Sequence, residues 1–125
     1  MILLLDAHAL LWWLADSAEL ATQARAAIAD PLNDVLVSAA TVWEIEIKRQ
    51  LGKLKAPKSL ADALEPAGLG DLPITTRDAE RAARLPDHHR DPFDRMLVAQ
   101  AQRLDAILVT RDDVFKRYGI ESLRA

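Results

Sequence analysis

The stretch DHHRDPFDRMLVAQA, Asp87 to Ala101, passes from a polar loop into an amphipathic helix. Asp91 stands where an N-cap belongs, and Pro92 suits the first helical position, whose N–H has no intrahelical partner anyway. Apolar residues recur at Phe93, Leu97 and Leu104, with Met96 and Val98 on the same broad face, so one side of this helix packs inward. The run Ala106–Val109 follows after one turn, short and wholly apolar, as in a strand covered on both faces. A helix feeding a strand of that kind is half of a βαβ unit. The helix also opens with two carboxylates, Asp91 and Asp94, inside one turn. Taken alone they read as a capping pair, because helix N-termini attract Asp for structural reasons.

Working outward, the same alternation repeats along the chain. Ile2–Leu5 is a short apolar strand followed at once by Asp6 and a helix over Ala7–Ala15. A second helix is expected around Ala18–Ala29, ended by Asp30-Pro31. Val35–Val37 is the next strand, and Ser38–Leu51 the next helix, with Gly52 placed as its C′ residue. Thr41-Val42-Trp43-Glu44 matches the capping-box pattern, which offers Glu44 a structural role. Leu60–Ala67 is read as a helix stopped by Gly68 and Gly70, and Leu72–Ile74 as a weak strand. A helix capped by Thr75 or Thr76 runs to Leu85, where Pro86 stops it. Beyond Ala106–Val109, Thr110-Arg111-Asp112-Asp113 starts a short helix to Tyr118, and Ile120–Leu123 is a last edge strand. The expected fold class is α/β, three layers around a largely parallel sheet, with the 125 residues forming one domain.

Composition narrows the function classes. Half of the residues are hydrophobic and 28% are charged, the mix of a soluble globular chain. The opening MILLLDAHALLWWLA lacks a basic leader, is interrupted by Asp6 and His8, and falls short of the ~20 residues of a membrane span. It reads as core. No cysteine is present, so neither disulfides nor thiolate metal sites arise, which fits a cytoplasmic protein. A net charge of −3 does not advertise a nucleic-acid binder, so any such case must be local. Local asymmetry exists: KRQLGKLKAPK, residues 48–58, carries five bases and no acid. No GxGxxG, GxxxxGK[ST] or GxSxG string occurs, which removes the dinucleotide, P-loop and serine-hydrolase signatures. His88 and His89 are adjacent and read first as a solvated loop, with metal or phosphate contact as the alternative, and Trp12, Trp13 and Trp43 read as core or interface.

Four acids hold equivalent places in this pattern. Asp6 follows the first strand and Asp112 the strand Ala106–Val109. Glu44 lies about a turn after the second strand, and Asp94 opens the helix leading to the fourth. In an open parallel sheet the C-terminal strand ends share one edge, where ligands bind. Four carboxylates meeting there repel and raise one another's pKa unless a cation sits among them. A donor set of oxygens selects a hard divalent ion, Mg²⁺ or Mn²⁺. Such ions hold phosphate esters, acidify water and stabilise a leaving oxygen, so the spacing points to metal-dependent phosphoryl chemistry.

LLLDAHALLWWLA, SAATVWEIEIK, HHRDPFDRMLVAQA and ILVTRDDVF, in this order and spacing, resemble the PIN-domain ribonucleases, more narrowly the VapC-type toxins of bacterial toxin–antitoxin pairs. The resemblance runs nearly end to end. It implies strand order 3-2-1-4-5 and a site of Asp6, Glu44, Asp94 and Asp112 around one or two Mg²⁺ ions. Asp6 and Asp94 are expected as direct ligands, with Glu44 and Asp112 binding directly or through water. It also implies endonucleolytic cleavage of RNA, a cognate antitoxin that wraps the toxin and blocks the site, and a homodimer. One departure is Ala7, where the family commonly has Thr or Ser after the first Asp; Thr110 does match the hydroxyl before the last acid. RNA phosphates beside the acidic pocket are assigned to Lys48, Arg49, Lys53, Lys55, Lys58 and Arg95. The first helix is apolar nearly all round, so Leu11, Trp12 and Trp13 are expected to offer a partner surface. Two rival readings share the architecture: a phosphoacceptor receiver domain, which would want a Lys where Arg111 stands, and a non-catalytic carboxylate-pocket interaction module.

Overall fold

The computed structural model describes residues 1–52 and 54–125. Five strands form one sheet in the order β3-β2-β1-β4-β5: β1 (Ile2–Leu5), β2 (Asp34–Ser38), β3 (Gly70–Leu72), β4 (Ile107–Thr110) and β5 (Ser122–Arg124). Every pairing is parallel. The strand order and the α/β class therefore agree with the reading of the sequence. β1 is central, with Leu5 opposite Val37 on one side and Val109 on the other. Its run of leucines is explained by double coverage. Leu3 and Leu5 belong to one apolar cluster with Ala9, Leu10, Val37, Ile45 and Val109, whereas Leu4 joins Leu97, Val98, Leu108 and Phe115 across the sheet. Burial of each such leucine contributes about 2 kcal/mol.

The helices are α1 (Ala7–Leu14), α2 (Thr22–Ala29), α3 (Ala39–Gln50), α4 (Leu60–Leu64), α5 (Thr76–Arg84) and α6 (Pro92–Leu104), and a 3-10 turn covers Asp113–Tyr118. Several first turns show why they begin where they do, though α2 begins after Ala21 with no side-chain cap. Asp6 accepts from Ala9 N–H, Asp91 from Phe93 and Asp94 N–H, and Thr75 and Asp78 form a reciprocal capping box. At α3 the expectation fails. Its N-cap is Ser38, which accepts from Ala40 N–H, and Thr41 is buried inside the helix with its hydroxyl unpartnered. Glu44 is therefore not the acid of a capping box. The pattern Thr-x-x-Glu matched because it describes spacing and is blind to where β2 ends. The last strand begins two residues later than expected, since Gly119 in the left-handed region closes the 3-10 turn first. No helix among the described residues is long and apolar enough to cross a membrane.

Candidate metal centre

A pocket of roughly 410 Å³ opens at the C-terminal edge of the sheet, lined among others by Asp6, Glu44, Lys48, Asp91, Asp94 and Asp112. The fold brings the four expected acids there from four separate segments. Asp6 leaves β1, and Asp112 leaves β4 and caps the 3-10 turn by accepting from Val114 N–H. Glu44 sits in the second turn of α3, which packs against α6. Asp94 lies in the first turn of α6, and the capping of that helix is done by Asp91. With its backbone duty taken over, the Asp94 carboxylate is left facing the pocket.

Electrostatics mark two of the acids. Burial pushes the Asp6 carboxyl above its ordinary range, against the lowering effect of hydrogen bonds from the Thr110 hydroxyl and Ala9 N–H. Thr110 also accepts from Asp112 N–H, so one buried hydroxyl ties the first acid to the last. The flanking Ala7 lines the pocket and supplies no such group. Asp94 is raised to about 7, chiefly by burial, then by the charge of Asp91, and further by that of Glu44, while His89 opposes the rise. Glu44 is itself ion-paired to Lys48 at 3.1 Å, a cation one helical turn further along α3.

His89 belongs to this place, and the sequence could not separate it from His88 or from a solvated loop. Its Nε2 lies 2.7 Å from an Asp94 oxygen and 3.8 Å from an Asp112 oxygen. The nitrogen is buried and satisfies no hydrogen bond in proper alignment. His89, Asp94 and Asp112 each offer one ligand atom within 4.8 Å of the others. The loop carrying His89 is pinned by Tyr118, whose hydroxyl accepts from His89 N–H and donates to the Pro86 carbonyl. His88 instead stacks edge-on against Tyr118. The adjacency of two histidines hid this division of labour. The long-range partner that divides them, Tyr118, left no local signal.

These residues fit a divalent cation. The donors are carboxylate oxygens with one buried imidazole nitrogen beside them, and three of these groups, His89, Asp94 and Asp112, already hold ligand atoms within 4.8 Å of one another.

A family model for the PIN domain matches residues 3–121. The chain belongs to the PIN-domain family. Among solved structures with this PIN fold, VapBC2 from Rickettsia felis bound to a promoter DNA fragment aligns with a TM-score of 0.72 at 16% identity, covering 98% of each chain. VapC20 of Mycobacterium tuberculosis, a sarcin-ricin loop cleaving toxin, aligns at 0.70 and 16% identity, over 98% of this chain and 99% of that one. FitAcB from Neisseria gonorrhoeae aligns at 0.67 and 19%, over 99% and 97%. No curated protein sequence matches the chain.

The remaining expected residues divide. Arg95 donates to the carbonyls of Ala82, Ala83, Leu85, Pro86 and His89. Arg49 is held by Glu46 and by the Ala56 and Pro57 carbonyls. Both guanidiniums, expected to meet phosphate, are thus committed inside the protein. Lys55 and Lys58 are exposed, and Lys53 lies outside the described residues. Leu11, Trp12 and Trp13 are half-buried: Trp13 donates to the Ala67 carbonyl, and Trp12 lies beneath the Arg111 guanidinium, 4.3 Å from the ring centroid. Trp43, Ile47 and Leu51, at i, i+4 and i+8 of α3 and its end, are more exposed than any of these. Trp43 meets Phe93 edge-on at 5.3 Å.

Proposed function

We propose that this chain is a metal-dependent endoribonuclease, a single PIN domain over residues 1–125 that serves as the VapC-type toxin of a toxin–antitoxin pair in the cytoplasm. The observation that supports this best is the convergence of Asp6, Glu44, Asp94 and Asp112 on one pocket with two of them pushed towards protonation. Family membership and the toxin neighbours point the same way. The expected partners are RNA as substrate, a cognate antitoxin that covers the pocket, and a second copy of the chain.

Asp6 and Asp94 would hold the ion, with Glu44 and Asp112 completing its surroundings and His89 beside them. When bound, Mg²⁺ or Mn²⁺ supplies Lewis acidity, lowering the pKa of a water molecule and offsetting charge on the phosphate. The chain's own work is positioning. Thr110 fixes Asp6 relative to Asp112, Asp91 caps α6 so that Asp94 is spared that duty and faces the pocket beside His89, and Tyr118 sets the height of His89. Lys48 stands at the rim, about half exposed, where a phosphate oxygen can replace Glu44 as its partner.

The test is cleavage of RNA by purified protein with Mg²⁺ or Mn²⁺, repeated in EDTA and with Asp94→Asn. Cleavage is expected to stop in EDTA, and to fall by at least a hundredfold in Asp94→Asn while circular dichroism stays native. Full cleavage by metal-free protein, or by the Asn variant, would overturn the assignment.

A further inference from the structure

With Arg49 and Arg95 committed and Lys48 held by Glu44, the largest concentration of arginine lies elsewhere. Arg77, Arg81 and Arg84 recur at i, i+4 and i+7 of α5, which places them on one face. With Arg103 of α6 they line an open groove whose walls include Asp78, Glu80, Leu85 and Pro86. The two acids neutralise only half of it. Asp78 is fully buried and fixed on Arg103, and Glu80 makes an exposed pair with Arg84 at 3.3 Å. Arg77 makes no ion pair among the described residues, and Arg81 has only the Gln102 side-chain oxygen at 3.4 Å. That leaves Arg77 and Arg81, like charges one turn apart, with no acid paired to either among the described residues, an arrangement that costs an isolated helix a few tenths of a kcal/mol.

Position gives the groove its meaning. Its Leu85–Pro86 end runs directly into residues 87–91, the segment that delivers His89 and Asp91 to the acid pocket. Arg90 stands exposed between the two. We propose that the α5 groove is a phosphate track for the RNA strand flanking the cleavage point, an inference that rests on the ribonuclease reading. The seven residues from Arg84 to Arg77 advance ~10 Å, room for about two or three phosphates at the ~3.4 Å rise of a stacked strand. Guanidinium suits this task better than ammonium, because its fork meets a phosphate with two parallel N–H donors. The sequence hides the track because its charges are spread at helical spacing among acids. The denser run at 48–58 draws attention instead.

The experiment measures binding, so that it stands apart from catalysis. Asp94→Asn protein is titrated with an unstructured 12-nucleotide RNA and with a tetranucleotide, across a range of salt concentrations. The same titrations are made with Arg77→Gln/Arg81→Gln and with Arg117→Gln/Arg124→Gln added, two variants that remove equal charge, the second from exposed arginines outside both the groove and the acid pocket. The α5 variant is expected to bind the 12-mer about tenfold more weakly and to flatten its log–log salt slope by about 1–1.5, at ~0.7 per phosphate contact. Its affinity for the tetranucleotide and its melting temperature should not change. Arg77→Lys/Arg81→Lys should recover most of the binding. The proposal is overturned if the 12-mer does not bind, or if its affinity and slope are indifferent to Arg77 and Arg81. Equal loss with the tetranucleotide, or in the Arg117/Arg124 variant, overturns it as well. Wild-type protein that binds through α5 yet never cleaves RNA would sink the ribonuclease reading and leave the track standing.

Discussion

Asp94 holds its proton to about pH 7, against 3.8 for an ordinary Asp, because it is buried beside Asp91 and Glu44. The sign of the consequence follows from proton counting. Between those two values the folded protein binds more protons than the unfolded chain, so stability falls as pH rises through that window. Metal-free protein is therefore expected to melt higher at pH 5 than at pH 7.5, by an amount that shrinks in Asp94→Asn. At pH 7.5 the Asn variant should melt above wild type, since it keeps the shape and drops the uncompensated charge. Asp91 supplies the contrast within the same turn. It accepts two backbone N–H bonds as the N-cap, so Asp91→Ala should cost about 1 kcal/mol at pH 5, and less at pH 7.5, where its loss also relieves the ionised Asp94. Thermal melts of the three proteins at the two pH values decide the matter. If wild type and Asp94→Asn respond identically to pH, the crowding of charge at Asp94 is wrong.

At the scale of elements, the sequence states which segments are helices and strands far better than it states what each polar residue is for. Asp91-Pro92 marked the start of α6, and Asp91 does cap it, because capping is settled within four residues. Glu44 fitted a capping box and a pocket acid equally well, and it lines the pocket, because the start of α3 is set by where β2 releases the chain at Ser38. Arg95 is the clearest case. A basic residue beside a cluster of acids read as a phosphate contact, yet its guanidinium plugs the C-terminal end of α5 and the loop after it, satisfying five carbonyls. Nothing within a helical turn of Arg95 announces those partners, which lie 6 to 13 residues earlier in the chain. Its loss should accordingly appear as instability. Arg95→Gln is expected to lower stability by about 2 kcal/mol, or ~6–8 °C in melting temperature. RNA affinity, measured well below that melting temperature, should be little altered. A variant that melts like wild type but has lost RNA binding would return Arg95 to the substrate.

For the whole molecule, strand order does what no single element can. Placing β1 between β2 and β4 sets the ends of β1 and β4 side by side, so Asp6 and Asp112 become neighbours although 106 positions apart. Packing α6 on α3 then swings Asp94 towards Glu44. The meeting of the acids was legible from the sequence because Asp6 and Asp112 follow strands, Asp94 opens a helix and Glu44 lies about a turn beyond a strand, a rule of position. His89 was not, because its place depends on Tyr118 from a distant segment. Such a cluster is held together by the rest of the fold against its own repulsion, so a cation that fits should stabilise the entire domain. A ligand bound only by the native state adds RT ln(1 + [L]/Kd), or ~2.7 kcal/mol at a hundredfold excess over Kd, several degrees for a chain of this length. Mn²⁺ or Mg²⁺ added to metal-free wild type should raise the melting temperature by that order. The gain should shrink in Asp6→Asn and Asp94→Asn, each of which gives up one ligand charge. Asp113→Asn provides the control, since Asp113 pairs with Lys116 at 3.3 Å and lies outside the pocket lining. It removes the same charge from the neighbouring position and should keep the full gain. If all four proteins gain equally, the ion binds elsewhere; if wild type gains nothing, the four carboxylates share an edge of the sheet without sharing a cation.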